Sequence, residues 1–291
     1  MKDWHFLRQA HSLWERFSPN RLGVFGLVIL LFYVLIALFA NVLAIYPPLM
    51  TGSGPSFAGL SAAHPFGTDN LGRDIFSETL YGARATLVVS FLAVVASTVV
   101  GLGFGAIAGY FGGWVDEALM RITEVFLVIP AIFLALVFVS IFGGSAWNVV
   151  GVIALLSWPQ MARLVRAEFL VIKEQTYIDA ARTSGAGNLH VIFREILPNA
   201  ISTVIVNVSL TQASAILIES SLSFLGFGDP AVVSWGLMLH NAQKYFNQNW
   251  LMAFIPGLSI FLTVLALNLV GEGLAEALNP RRNVRAASLP R

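Results

Sequence analysis

The chain has 291 residues, of which 57% are hydrophobic and only 11% charged, with a formal net charge of +1. A soluble domain carries roughly 25% charged residues, so much of this surface never meets water, and the near-neutral balance gives no support for a nucleic-acid partner. The absence of cysteine excludes disulfides, iron–sulfur clusters and Cys-ligated zinc.

Crossing a bilayer takes ~20 apolar residues. The first run, Leu22 to Tyr46, holds 25 uncharged residues behind the basic leader Lys2, Arg8, Arg16 and Arg21. A cleaved signal has a core of about 7–15 apolar residues, so this longer run predicts an uncleaved first span over 22–46, after a cytoplasmic segment 1–21. An external loop over 47–84 follows. In it, Gly67-Thr68-Asp69-Asn70-Leu71-Gly72 reads as a turn and Arg73–Ala83 as a short helix at the interface. The next spans are expected near Ala85–Tyr110 and Ile122–Phe142, then from Ala146 past Pro159 toward Arg163, then near Ala200–Phe224 and Leu251–Val270.

The short fourth stretch is settled by loop charge. With six crossings and both termini inside, fourteen Lys and Arg lie on the inner side against Arg73, Arg84 and Lys244 outside. Removing the fourth crossing would move Arg163, Arg166, Lys173, Arg182 and Arg194 outside, against the bias that orients helices during insertion. Within the second span, Gly101, Gly105 and Gly109 share one face, which predicts close helix packing in lipid.

The same orientation places the polar stretch Tyr177–Asn199 in the cytoplasm. Thr176 and Asp179 have capping-box spacing, so a helix is expected to start at Tyr177. Gly185 suits the left-handed position that ends a helix, and a second short helix should run from Asn188 to before Pro198, whose ring would open the fifth span. Ala180 and Ala181 are small enough to let another surface approach.

Asp179-Ala180-Ala181, Gly185 and Leu197-Pro198 resemble the cytoplasmic signature of ABC-type importer permeases, with Asp179 where Glu is usual and Glu195 where the pattern is apolar. "HPFGTDNLGRDIFSETLYGAR" (His64–Arg84), "GGWVDEALMR" (Gly112–Arg121), "ESSLSFLGFG" (Glu219–Gly228), "WGLML" (Trp235–Leu239) and "LNLVGEGLAEALNPR" (Leu267–Arg281) resemble the second permease subunit of the dipeptide/oligopeptide/nickel branch. The resemblance implies an all-α, six-span polytopic fold of the type I importer kind. Its five-helix core, 85–271, would contain a helix–Gly–helix coupling loop over 160–198, before a cytoplasmic tail 272–291. It also implies a bacterial cytoplasmic membrane, a second homologous permease subunit, two cytoplasmic ATPases holding ATP and Mg, and an external solute-binding protein. Tyr177, Asp179, Ala180, Ala181, Gly185 and Pro198 would then dock on an ATPase, and the cargo would be a di- or oligopeptide or a related solute such as a nickel chelate.

The remaining polar residues have two readings each. Asp69, Arg73 and Asp74 form either a binding-protein contact or a structural turn in which Arg73 and Asp74 pair. Asn207, Thr211 and Ser214 share one face of the fifth span, with Ser221, while Gln212 and Glu219 lie on a second. They either line a translocation path or join helices. Arg121 and Glu124 have the spacing of a local ion pair. Trp235–Phe246 reads as an external amphipathic helix, with Trp235, Tyr245 and Trp250 suited to the headgroup belt. The chain has no Gly-Lys pair and so no phosphate-binding loop, and no His-Glu-x-x-His zinc pair. A pore subunit driven by partner ATPases is therefore favoured over a proton-coupled transporter using Glu219 or Glu124, and over an intramembrane enzyme. No resident cofactor or metal is expected.

Overall fold

The computed structural model describes residues 13–278. Lys2 and Arg8 of the leader and Arg281, Arg282, Arg285 and Arg291 of the tail lie outside the described residues. The helices that carry the fold are α1 (Arg21–Leu43), α2 (Ile75–Phe111), α3 (Gly113–Val128), α4 (Ala131–Phe142), α5 (Ala146–Ile172), α6 (Thr176–Thr183), α7 (Asn188–Phe224), α8 (Trp235–Ala242) and α9 (Leu251–Leu278). Among the described residues, β-pairing is confined to an isolated bridge between Thr68 and Asp74.

Helices α1, α2, α5, α7 and α9 are long and apolar enough to cross a bilayer. The third expected span departs from a straight crossing. It is two helices, α3 and α4, bent by 86° at their junction. Ile129 is extended (φ −80°, ψ 126°), the conformation that a following proline ring imposes on its predecessor, and Pro130 then caps α4.

A second departure is α2. The interfacial helix and the second span are one helix of 37 residues, roughly 55 Å long at 1.5 Å per residue. That exceeds the ~30 Å hydrocarbon layer, so the helix is longer than one crossing requires. Asp74 starts it by accepting the Ser77 N–H at 2.8 Å, an N-cap that interfacial amphipathicity alone did not reveal. The helix of the fourth crossing passes through Pro159 and ends at Ile172, so residues 160–172 of the expected coupling segment continue that helix. The segment around α6 lies between α5 and α7.

Packing between α2 and α5 depends on bare backbone. A Cβ on Gly101 would lie 2.6 Å from Met161 Cβ, and one on Gly109 would lie 2.6 Å from Phe169 Cβ. A Cβ on Gly105 would enter Val165 at 2.7 Å. No real side chain fits there, so the three glycines fix the approach of the two helices. The outward faces remain apolar, as with Leu22, Phe25, Phe32, Leu38 and Val42 of α1, which lipid accommodates at no desolvation cost.

The outer half of the core closes around Trp235, which is fully buried rather than placed in the headgroup belt. Its indole N–H donates to the Thr79 carbonyl at 3.1 Å and its backbone N–H to Thr86 Oγ1 at 3.3 Å. The amphipathic pattern did not reveal these two partners on α2. Trp250 is exposed. The external helix is also shorter than expected, with a 3-10 turn, Gln243–Tyr245, following α8.

Candidate coupling site and transmembrane polar residues

The inner ends of α2, α5 and α7 meet around Ile178, the one fully buried side chain of α6. It belongs to a buried apolar cluster that includes Val165, Phe169, Val191, Ile192 and Ile196. The expected capping box does not form. Thr176 is already helical, Gln175 occupies the cap without a side-chain bond, and Asp179 instead lies 3.7 Å from Arg182.

Gly185 ends α6 at φ +88°, where a Cβ costs roughly 1–2 kcal/mol. The Gly185 N–H donates to the Arg182 carbonyl (3.0 Å) and the Ala186 N–H to the Ala181 carbonyl (3.1 Å), the paired bonds of a Schellman stop. Tyr177, Asp179, Ala180, Arg182 and Gly185 are exposed, and Ala181 is half-buried. On the adjoining start of α7, Leu189 is 71% and Phe193 60% exposed. The element is thus held from beneath by an apolar peg and presents small, charged and apolar groups outward.

Pro198 is exposed and stands in the first turn of the α-helical stretch Leu197–Phe224, the place its ring favours. A π turn, Val191–Ile196, joins that stretch to Asn188–His190 ahead of it, and in it the Leu197 N–H donates to the Ile192 carbonyl. A proline has no N–H to give and crowds the carbonyl four residues back; a wider turn relieves that crowding, and such turns recur at functional positions. Asn199 Nδ2 donates to the Glu195 carbonyl at 2.6 Å and to Tyr177 Oη at 3.3 Å, joining α7 back to α6.

Sequence reading missed five residues that fasten this end of the bundle: Tyr110, Asn188, Asp116, Arg166 and Lys173. Tyr110 Oη donates to Asn188 Oδ1 at 2.8 Å, and the Arg182 guanidinium lies 5.7 Å from the centre of the Tyr110 ring. Arg166 donates from Nε to Asp116 Oδ1 (2.5 Å) and from Nη2 to Asp116 Oδ2 (2.6 Å), a two-pronged clasp between α5 and α3. Lys173 Nζ donates to the Gly109 carbonyl at 3.0 Å. Their partners lie 50 to 78 residues away, and no local spacing signals such pairs.

Within the membrane the α7 residues divide. Ser214 is exposed, along with Leu210, Leu217 and Ser221, while Asn207 and Thr211 are half-buried. Thr211 Oγ1 donates to the Asn207 carbonyl at 2.9 Å and Ser214 Oγ to the Leu210 carbonyl at 3.3 Å, so both hydroxyls are bonded to their own helix. Gln212 turns inward and its amide donates to Ser90 Oγ at 2.7 Å. Glu219 is buried and accepts from Ser223 (2.9 Å) and Ser220 (3.3 Å); Thr86 and Ser234 also bond to it. These contacts make Gln212 and Glu219 joints between helices.

On the outer side, Asp69 and Asp74 are buried. The Asp69 carboxylate accepts the Leu71 and Arg73 N–H groups at 2.8 and 2.7 Å. Asp74 Oδ1 lies 3.1 Å from His64 Nδ1, and Oδ2 accepts the Ser77 hydroxyl at 2.6 Å. Arg73 lies 3.5 Å from Glu78 and 3.9 Å from Asp69; its recorded ion-pair partners are these two, not Asp74. Arg121 and Glu124 do pair locally at 3.3 Å and are exposed.

An all-α, multi-pass chain with a pegged helix–Gly–helix element at the inner ends of its crossings has the build of a membrane permease subunit. Residues 101–284 match the family described as binding-protein-dependent transport system inner membrane component, and residues 8–59 match the N-terminal TM domain of oligopeptide transport permease C. The chain is 39% identical over 268 residues to the dipeptide transport system permease protein DppC of Alkalihalophilus pseudofirmus, covering 92% of this chain and 88% of that protein. It is 40% identical to the glutathione transport system permease protein GsiD of Pectobacterium atrosepticum, covering 93% and 90%, and 40% identical to a putative peptide permease protein of Brucella suis, covering 92% and 89%. A solved chain of the MetNI methionine ABC transporter in inward-facing conformations shares the fold, with TM-score 0.57 and 19% identity over 73% of this chain and 97% of that one. The protein belongs to the binding-protein-dependent transport inner-membrane-component family. It is the permease subunit of an ABC importer, and ATP is handled by partner ATPase subunits.

Proposed function

We propose that this subunit forms one half of the pathway by which di- or oligopeptides, or a peptide such as glutathione, enter a bacterial cell across its cytoplasmic membrane. The names of its relatives, a dipeptide, a peptide and a glutathione permease, support that cargo class. A second, homologous permease subunit completes the pathway, and an external binding protein delivers the solute. The exposed face of α7 around Ser214 borders the route.

The observation that carries the reading is the seating of α6. Ile178 is fully buried while Tyr177, Asp179, Arg182, Leu189 and Phe193 face outward. Force applied to that outer face passes through the peg into α2, α5 and α7. Replacing Gly185 with Val, or Asp179 with Lys, should abolish uptake while the assembled transporter still hydrolyses ATP. Uptake at the parent rate by both variants would remove α6 from the coupling path. Solute-stimulated ATPase activity, measured with dipeptides, longer peptides and glutathione in parallel, identifies the cargo.

A further inference from the structure

Between α1, α2 and α9 lies an apolar groove of about 500 Å³. Its walls include Leu30, Val34 and Leu38 of α1, Val88 and Phe91 of α2, and Leu267 of α9. Gln212 also borders it, but its amide is engaged with Ser90, so the groove is suited to hydrocarbon. Its volume is that of a small-molecule site, and it lies within helices that cross the bilayer.

A cation stands at the outer mouth. Arg84 precedes Leu87, Val88 and Phe91 by three, four and seven positions, so all share one face of α2. Its guanidinium crosses to α1. Nε donates to the Ala37 carbonyl (2.8 Å), Nη2 to the Leu38 carbonyl (3.1 Å) and Nη1 to Asn41 Oδ1 (2.9 Å). A guanidinium has five N–H donors, so two remain beyond these three bonds. Loop charge places this end of α2 on the outer side, and Arg84 directly precedes the uncharged run that begins at Ala85.

An apolar trough with an arginine at its headgroup end is complementary to a phospholipid. We propose that the groove holds one acyl chain of an outer-leaflet glycerophospholipid, whose phosphate is hydrogen-bonded by Arg84. Hydrocarbon alone gives no use for the two remaining donors, and a free phosphate gives none for the trough. The bound lipid fills the seam between α1 and the rest of the bundle.

The test uses the assembled transporter, carrying the photoreactive amino acid p-benzoylphenylalanine at position 88, reconstituted with phosphatidylglycerol. Irradiation should give an adduct of phospholipid mass, and excess soluble glycerol phosphate should leave its yield unchanged. Arg84→Gln should lower the yield roughly tenfold, in keeping with the loss of a charge-assisted hydrogen bond, while Arg84→Lys retains most of it. Leu38→Trp, which fills the trough with Arg84 intact, should lower it as well. An adduct to another polypeptide, competition by glycerol phosphate, or an undiminished lipid adduct in Arg84→Gln would overturn the proposal. If Arg84→Gln does not assemble, Leu38→Trp decides: an unchanged lipid adduct would overturn the assignment.

Discussion

Tyr110, at the inner end of α2, donates its hydroxyl to Asn188, the first residue of α7, at 2.8 Å. The bond closes the helix–Gly–helix element onto a transmembrane helix that adjoins it in space but not in sequence. Tyr110→Phe removes this bond and keeps the ring on which Arg182 rests. Such a bond contributes about 1 kcal/mol, so the ratio of solute imported to ATP hydrolysed should fall severalfold with little change in thermal stability. Parallel uptake and phosphate-release assays measure the ratio. An unchanged ratio would make the bond incidental.

The glycine seam between α2 and α5 predicts a sharp positional contrast. Gly105→Val should cost several kcal/mol, as overpacked positions do, because the added atoms meet Val165 and the backbone of α5. Gly103→Ala should be tolerated, since nothing lies within 4 Å of its virtual Cβ. Thermal unfolding of the purified complex, together with the amount of subunit in membranes, distinguishes the two.

Glu219 holds hydroxyls from α2, α7 and the cap of α8. Glu219→Leu leaves those groups without their acceptor and should destabilise by roughly 2–4 kcal/mol, since each orphaned buried group costs about 1–3 kcal/mol. Glu219→Gln keeps one acceptor oxygen and should cost markedly less. If both variants melted together with the parent, the cluster would contribute nothing to stability.

The Asp116–Arg166 clasp is suited to a double-mutant cycle. Asp116→Asn and Arg166→Gln should each destabilise the complex, and the double variant should lose less than their sum, with a coupling within the ~0.5–3 kcal/mol range of contacting residues. Strict additivity of the three unfolding measurements would mean that the two side chains act independently.

What the sequence disclosed depended on the range of each signal. Hydropathy and loop charge place the crossings because bilayer thickness and insertion bias act on contiguous residues. Gly185 was legible because a left-handed stop demands the residue without a Cβ, and the Gly101–Gly105–Gly109 face because its spacing follows the helical repeat. The break at Ile129–Pro130 was hidden, since both residues sit in an apolar stretch whose hydropathy continues unbroken. Trp235 misled because an aromatic beside polar residues suits an interface as well as it suits a socket in α2. Thr176 and Asp179 had the right spacing, but the helix began one residue early. The clasps by Tyr110, Asn188, Asp116 and Arg166 depend on tertiary proximity, to which composition and periodicity are blind.

One helix has the last consequence. At its outer end, α2 is pinned through its cap Asp74, which is bonded to His64, and by the indole of Trp235 on the Thr79 carbonyl; at its inner end, it is pinned by Tyr110 on Asn188 and by Lys173 on the Gly109 carbonyl. It is a single rod fastened to both rims of the molecule, with no proline within its 37 residues to act as a joint. Under the proposed coupling, a displacement imposed at the inner rim would be carried along this one helix to the outer rim.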